Sequence, residues 1–442
     1  MEAREFALQV IAEVKQKGAY ANLVLAKELQ RRSLSDQDRR FATELIYGVV
    51  KTGETLDWIL GHYCTRALTK IDSPILNILC LGIYQLFFLT KIPPSAACNE
   101  SVKLAKKYGH AGSVKFVNAV LRNATRAPEK VVYPDPEKDG ATYLSLLYYH
   151  PRWLVKRWLD RLGFEGTEEL CRFNNMTPPL TLRVNTLKTD RDSLRLRLEQ
   201  EGVVCTPSLF VPEGLLCTDH PALANLPSLA EGLVQVQDES SMLVSHVLAP
   251  QPGEFVIDAC GAPGGKSTHI AALMQNRGRV LSTDIHDHKL AITAENAARL
   301  GITILETAQF DATRLHTAYA GQADRVLVDA PCSGLGVLRR KPDSRWRKSE
   351  ESLRELPPLQ KAILTSAAAC VKPGGVLVYS TCTTEKEENQ AVVTAFLEKN
   401  SDFSLVPAGQ WLPVKSDAEM VQLWPHVDHA DGFFIARMVR RS

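Results

Sequence analysis

The sequence predicts a multidomain chain: an all-α N-terminal region, a small α+β module, and a C-terminal open doubly wound α/β domain. Three observations carry this. Residues 1–130 show apolar residues at helical spacing and little strand pattern. Residues 141–232 join an amphipathic helix to short strand and turn signals. From 233 to 442, short runs that are apolar throughout alternate with helical patterns. Such runs suit strands buried on both faces of a parallel sheet.

In the first region, Phe6, Val10, Ile11 and Val14 fall on one helical face. Ser35 stands three residues before Asp38, a capping-box spacing, ahead of a helix carrying Phe41, Leu45, Ile46 and Val49. Ser73 and Pro74 read as the N-cap and first-turn proline of "PILNILCLGIYQLFFL". That run is shorter than the ~20 residues a bilayer span needs and contains Asn77 and Gln85, so it reads as a buried helix. No membrane association is expected, and the N-terminus lacks signal-peptide character. "SVKFVNAVLRNATR" turns Phe116, Val117, Val120 and Leu121 inward. Up to Gly140 the net charge is about +5, consistent with RNA contact. "RAPEKVVYPDPEKDG", with three prolines, reads as a linker.

The chain of 442 residues carries a formal net charge of only +2, so a nucleic-acid function must rest on local patches. Its 10 cysteines form no CxxC pair. Zinc-ligand spacing is therefore missing, no metal is expected, and most thiols read as small buried hydrophobes of a reducing cytoplasm.

In the middle module, "HPRWLVKRWLDRLG" is an amphipathic helix, and "PLTLRVNTLKTDRDSLRLRLEQEG" a strand then a helix, with Arg183 and Asn185 near the strand end. Beyond 233 the strands are "EFVIDA", "GRVLSTD", "ITILE", "DRVLVDA" and "GVLVYST". Helical patterns stand between or after them. In a doubly wound sheet, ligands sit outside the carboxyl ends of the strands.

The first of these strands ends in "DACGAPGGKSTHIA". A strand, a glycine-rich turn and a helix N-terminus present backbone N–H groups to a ligand. The turn is not a Walker loop, because Cys260 stands where the first glycine is required, and it lacks G-x-G-x-x-G. Asp284 ends the second strand, placed for ribose hydroxyls; Asp311 follows the third and Asp329 the fourth. Taken singly, each acid could be a helix N-cap. Together with the turn they suggest a nucleoside without a pyrophosphate, which points to S-adenosylmethionine.

Cys332 follows the fourth strand in "DAPCSG" and Cys382 the fifth in "YSTCTTEKEEN". Adjacent strand ends would bring both thiols to one crevice, where a thiolate can act as nucleophile. "LRRKPDSRWRK", from Leu338 to Lys348, interleaves Arg339, Arg340, Lys341, Arg345 and Arg347 with Trp346. Cations around an aromatic suit phosphate contact and base stacking, so this loop is an expected RNA-binding element. The competing reading is a solvated charged loop.

"DACGAPGGKS", "DAPCSGLGVLRRKPDSRW" and "KPGGVLVYSTCTTEKEEN" resemble the motifs of the RNA cytosine-5 methyltransferase (Nop/Sun) family. "FVNAVLRN" and its surroundings resemble the RNA-binding fold of the antitermination factor NusB. The three-part order is similar to that of bacterial 16S ribosomal RNA members, and the resemblance spans nearly the full chain. One departure is Gly261, where the family has alanine; glycine is expected to loosen the turn while keeping its backbone donors.

The resemblance implies a NusB-like domain, an RRM-like α+β module and a Rossmann-like class I methyltransferase domain. It implies S-adenosylmethionine as cofactor, 16S ribosomal RNA as partner, and a cytoplasmic enzyme; nothing in the sequence demands more than a monomer. It assigns nucleophilic attack on carbon 6 of cytosine to Cys382 and assistance in product release to Cys332. Asp329 is placed to hold or protonate nitrogen 3, and Lys266 to hold the base or the cofactor end of the site. Cys260, Gly261, Ala262, Pro263, Gly264, Gly265 and Lys266 are expected to line the methionine part of the cofactor, Asp284 the ribose and Asp311 the adenine. The alternatives are another RNA, such as transfer RNA, or a non-catalytic RNA-binding assembly factor.

Overall fold

The computed structural model describes residues 2–32 and 34–442, which divide into two compact units. One comprises the chain up to Asn175 together with Leu338–Ser349; the other comprises Met176–Val337 and Glu350–Ser442.

The first unit is helical. Helices Glu2–Lys17, Asp36–Thr52, Ser73–Phe88, Pro94–Tyr108 and Ala111–Arg126 bury Phe6, Ile11, Leu45, Ile46, Ile78 and Leu121 in one core. Ser35 caps its helix as expected: Asp38 N donates to Ser35 Oγ at 3.1 Å, and the Ser35 hydroxyl donates back to Asp38 at 2.9 Å. Helix Ser73–Phe88 starts one residue earlier than expected, with Asp72 at the N-cap. No described helix is long and apolar enough to cross a membrane.

The proline-rich stretch after Arg126 is not a boundary between compact units. Tyr133 packs against Trp58 with ring centroids 4.9 Å apart, and Thr55 Oγ1 donates to the Leu146 carbonyl. Helices Pro136–Tyr148 and Arg152–Phe173 group with the first unit, which the chain leaves after Asn175.

The second unit holds two sheets. The smaller comprises β1 (Leu180–Val184), β2 (Val204–Pro207), β3 (Gly214–Asp219) and β4 (Val234–Val236), in the order β2-β3-β1-β4 and antiparallel throughout. Helix Arg191–Gln200 packs Leu194 and Leu198 against Leu182, Val184 and Leu215.

The larger sheet has eight strands: β5 (Phe255–Asp258), β6 (Arg279–Asp284), β7 (Leu305–Gln309), β8 (Ala323–Asp329), β9 (Val371–Thr381), β10 (Phe403–Val406), β11 (Met420–Leu423) and β12 (Phe433–Arg440). The main order is β10-β12-β9-β8-β5-β6-β7, with β11 also on β12. The five expected strands, β5 to β9, pair in parallel. The sheet is mixed rather than wholly parallel, because β12 runs antiparallel to β9 and carries β10 and β11. The strand order reverses between β5 and β8, so the ligand crevice of a doubly wound sheet opens at the carboxyl ends of those two strands.

Candidate active site

The glycine-rich turn leaves β5 at Asp258 and enters helix Gly265–Leu273. Gly264 holds φ at 93°, a left-handed conformation that glycine adopts without a Cβ penalty. Gly261 has a different reason to be glycine. A Cβ there would lie 2.3 Å from Ser282 Oγ and 2.6 Å from Ser267 Oγ. The expected looseness gives way to close approach: Gly261 makes room for a buried chain in which Ser267 Oγ is 2.6 Å from Asp258 Oδ2 and 2.9 Å from Ser282 Oγ. Its N–H also donates to the Thr283 carbonyl at 2.9 Å. Burial pushes the Asp258 carboxyl up to about 7, against the hydrogen bond from Ser267. Burial likewise pushes the Cys260 thiol well above its ordinary value, so this residue offers the turn its backbone rather than a thiolate.

Gly265 is open: a Cβ there would have only Gln237 near it, at 3.9 Å. Ala262 is partly exposed and Pro263 exposed on the same turn. Asp284 stands at the end of β6, with one carboxylate oxygen accepting from His286 N at 2.8 Å. Asp311 is exposed and caps a short 3-10 turn, accepting from Thr313 N at 2.9 Å and from its hydroxyl at 2.7 Å. The capping role weighed against a ligand role for these acids is thus realised at Asp311.

Asp329 ends β8. Its Oδ2 lies 2.7 Å from Lys266 Nζ, and its Oδ1 accepts from Ser380 Oγ at 2.8 Å. Burial would lower the Lys266 ammonium, but the Asp329 charge and hydrogen bond outweigh it and hold it above its ordinary value. The ammonium also sits 5.0 Å from the centroid of Phe433, on β12.

Because β8 and β9 are parallel neighbours, Cys332 and Cys382 meet, with sulfurs 3.4 Å apart. The Cys332 thiol is pushed well above its usual value by its hydrogen bond to Cys382, then by burial and by the charges of Glu388 and Asp329. Either sulfur can be the donor in their contact. The loop behind it is braced. Glu388 accepts from Ser333 N at 2.8 Å and from Gln360 at 3.0 Å, and Gly336 N donates to the Cys382 carbonyl at 3.0 Å.

Sequence reasoning passed over Ser380, Gln360 and Glu388. Glu388 was within reach, since it lies in the quoted "TEKEEN" run after the thiol. The sequence places Arg183 near a strand end and assigns it no role. This fully buried side chain on β1 donates to the Gly265 carbonyl at 2.6 Å, to Thr268 Oγ1 at 3.0 Å and to Gln237. The small module thereby grips the first turn of the helix that carries Lys266.

The expected RNA loop needs correction at Arg345. Leu338–Ser349 belongs to the helical unit. Arg345 is 0% exposed and donates to the carbonyls of Tyr149 and Asn174 and to Asn175 Oδ1. Trp346 fills the space over Gly53 and donates to the Lys51 carbonyl at 3.0 Å. Arg345 is thereby withdrawn into the packing of the helices around it, while Trp346 is partly exposed. Arg339 lies over the Phe173 ring, and Arg347 over Tyr20 while donating to Gly18 and Ala19. Arg340 is partly exposed and Lys341 is exposed.

Fold and strand-edge site together define a methyltransferase, and comparison with known proteins gives the family. Residues 245–439 match the family described as 16S rRNA methyltransferase RsmB/F. Residues 1–126 match the NusB family, and 150–222 the ferredoxin-like domain of RsmF/B-like methyltransferases. The chain is 41% identical to the probable ribosomal RNA small subunit methyltransferase B of Bacillus subtilis (strain 168), over 99% of each chain. It is 39% identical to the corresponding probable methyltransferase B of Synechocystis, again over 99% of each. Among solved structures, the crystal structure of PH0851 superposes with a TM-score of 0.83 at 28% identity, covering 98% of both chains. The chain belongs to the RsmB/F family of 16S rRNA methyltransferases. Its helical region is NusB-like, as expected, and its small α+β module is of the ferredoxin-like kind.

Proposed function

We propose that this enzyme transfers a methyl group from S-adenosylmethionine to carbon 5 of a cytidine in 16S ribosomal RNA, through a covalent bond between Cys382 and carbon 6. The observation that carries the reading is the 3.4 Å contact between Cys382 and Cys332 beside the Lys266–Asp329 pair. The turn from Cys260 to Lys266 fits the cofactor: it is open at Gly265, and Asp284 offers a carboxylate at the end of the next strand. When bound, the cofactor supplies an electrophilic methyl group on a sulfonium.

The chain's own residues do the rest. Cys382, as thiolate, adds to carbon 6, which makes carbon 5 nucleophilic. The Lys266–Asp329 pair faces the base, Asp329 orienting it and the ammonium stabilising charge that develops around nitrogen 3. After transfer, a base takes the carbon-5 proton, the electron pair of that C–H bond re-forms the C5–C6 double bond, and the bond from carbon 6 to Cys382 breaks with its pair leaving on the sulfur. The protonated Cys332 thiol donates to that sulfur and eases its departure. Because the target base must be unstacked to reach a thiol at a strand end, the substrate segment is single-stranded or extruded.

The test uses radiolabelled cofactor with transcripts of 16S ribosomal RNA and of transfer RNA, followed by nucleoside analysis. Label in 5-methylcytidine of the 16S transcript is expected. Label only in the transfer RNA would move the substrate, and cofactor binding without transfer to any RNA would favour a non-catalytic assembly factor. Cys382→Ala is expected to abolish methylation and covalent RNA adducts, whereas Cys332→Ala accumulates adducts. The reverse pattern would exchange the two roles.

A further inference from the structure

Three residues far apart in sequence converge elsewhere in the second unit. Glu213 immediately precedes β3, His246 lies in the last turn of helix Glu239–Leu248, and His269 lies in helix Gly265–Leu273. Glu213 Oε1 is 2.8 Å from Nε2 of each imidazole, and one ligand atom from each residue falls within 4.8 Å of the others. His246 and Glu213 form a hydrogen bond. The approach of Glu213 to His269 is close but not in hydrogen-bond geometry. His269, 1% exposed, therefore has both ring nitrogens buried without a partner. Buried polar atoms in folded proteins almost always have one, so a doubly unsatisfied imidazole aimed at a carboxylate and a second imidazole calls for an occupant.

His246 also lines a cleft of about 930 Å³, whose wall includes Gln251, Leu273, Gln275, Trp411 and Asp417, so one of the three ligands is open to solvent.

We propose that Glu213, His246 and His269 form a binding site for a divalent transition metal of the zinc class. Two imidazoles and one carboxylate are a recurrent ligand set for such ions, whereas calcium and magnesium prefer oxygen donors. Bonds of about 2.0–2.1 Å in tetrahedral geometry set ligand atoms roughly 3.3 Å apart. The 2.8 Å contacts therefore need to open by only about half an ångström. The Arg183 guanidinium also faces the cluster, and its two terminal nitrogens donate to Gln237, Gly265 and Thr268. Its charge lowers affinity for any cation and makes nitrogen ligation, not charge alone, the source of binding. A bound ion would clip the start of β3 to the helix that begins at the cofactor turn.

The probe is cobalt(II) added to the reduced full-length protein, followed by calorimetry, absorption and thermal unfolding. One saturable site is expected, without thiolate-to-cobalt absorption, and with a rise in the unfolding midpoint. The site should persist in the Cys332→Ala/Cys382→Ala double variant. His246→Asn and His246→Gln, polar replacements at a partly exposed position, should each weaken binding at least tenfold and cancel the thermal shift. Absence of saturable binding, a thiolate absorption band, or wild-type affinity in both His246 variants would overturn the proposal.

Discussion

The sulfur of Cys332 lies 3.4 Å from that of Cys382, across the ends of two neighbouring parallel strands. Closing to the ~2.05 Å of a disulfide takes a small side-chain movement. Hydrogen peroxide should oxidise one sulfur to the sulfenic acid, releasing water; the second thiol then condenses with it, releasing another. Peroxide is therefore expected to inactivate the enzyme with loss of two titratable thiols, and dithiothreitol to restore both. Cys332→Ala should form no such disulfide. Peptide mapping that finds both cysteines still reduced in the inactivated protein would contradict the contact.

Arg183 is expected to govern cofactor affinity from outside the turn. Its three hydrogen bonds hold Gly265, Thr268 and Gln237 at the start of the cofactor-side helix. Charge-assisted hydrogen bonds contribute about 1.5–3 kcal/mol, so Arg183→Ala should weaken binding of S-adenosylhomocysteine by about tenfold or more. Lysine has no fork to reach three acceptors, so Arg183→Lys should recover little. Steady-state kinetics should show a raised cofactor KM with kcat less affected. A change confined to the RNA KM would remove Arg183 from this role.

Asp258 should give the fold a pH dependence. Burial raises its carboxyl from 3.8 to about 7. The native state then keeps a proton that the unfolded chain has released between about pH 4 and pH 7. Stability from this group is present at low pH, falls as pH rises through that window, and is flat above it. The change amounts to about 4 kcal/mol at most, from roughly three pKa units. Urea unfolding across this range should show a weaker decline in Asp258→Asn than in the wild type; equal slopes would place the titration elsewhere.

Arg345 is expected to act on stability rather than on RNA. Arg345→Met leaves the carbonyls of Tyr149 and Asn174 and the side chain of Asn175 without their buried donor. A loss of about 2–4 kcal/mol follows, read as a lower urea midpoint at unchanged slope. Lys341→Ala, at an exposed position, should leave the midpoint within about 0.5 kcal/mol of wild type. If Arg345→Met unfolds like the wild type but loses RNA affinity, the buried role is wrong.

Much of this molecule was legible before any contact was known. Runs such as "DRVLVDA" and "GVLVYST" report burial on both faces, and the turn residues after them mark where each strand ends. The acids and the two thiols follow from those ends. β12 was missed although "FFIARMVR" is apolar, because nothing local tells a strand that it will insert antiparallel at the edge of a parallel set.

The sequence by itself determined strands β5 to β9, the residues that stand at their carboxyl ends, and the family whose motifs they carry. Tertiary structure alone decided which polar groups meet. It put Arg345 under Tyr149, 196 residues away, where a basic loop pattern reads as solvated or RNA-facing. It set Ser282 against Gly261, turning an expected loosening into a steric requirement. It gathered Glu213, His246 and His269 from three separate elements, which no ligand-spacing rule could find. The physical reason is that periodicity and turn chemistry are local and repeat along the chain. A buried hydrogen bond or ligand set depends on the direction of single side chains, fixed only when distant elements pack.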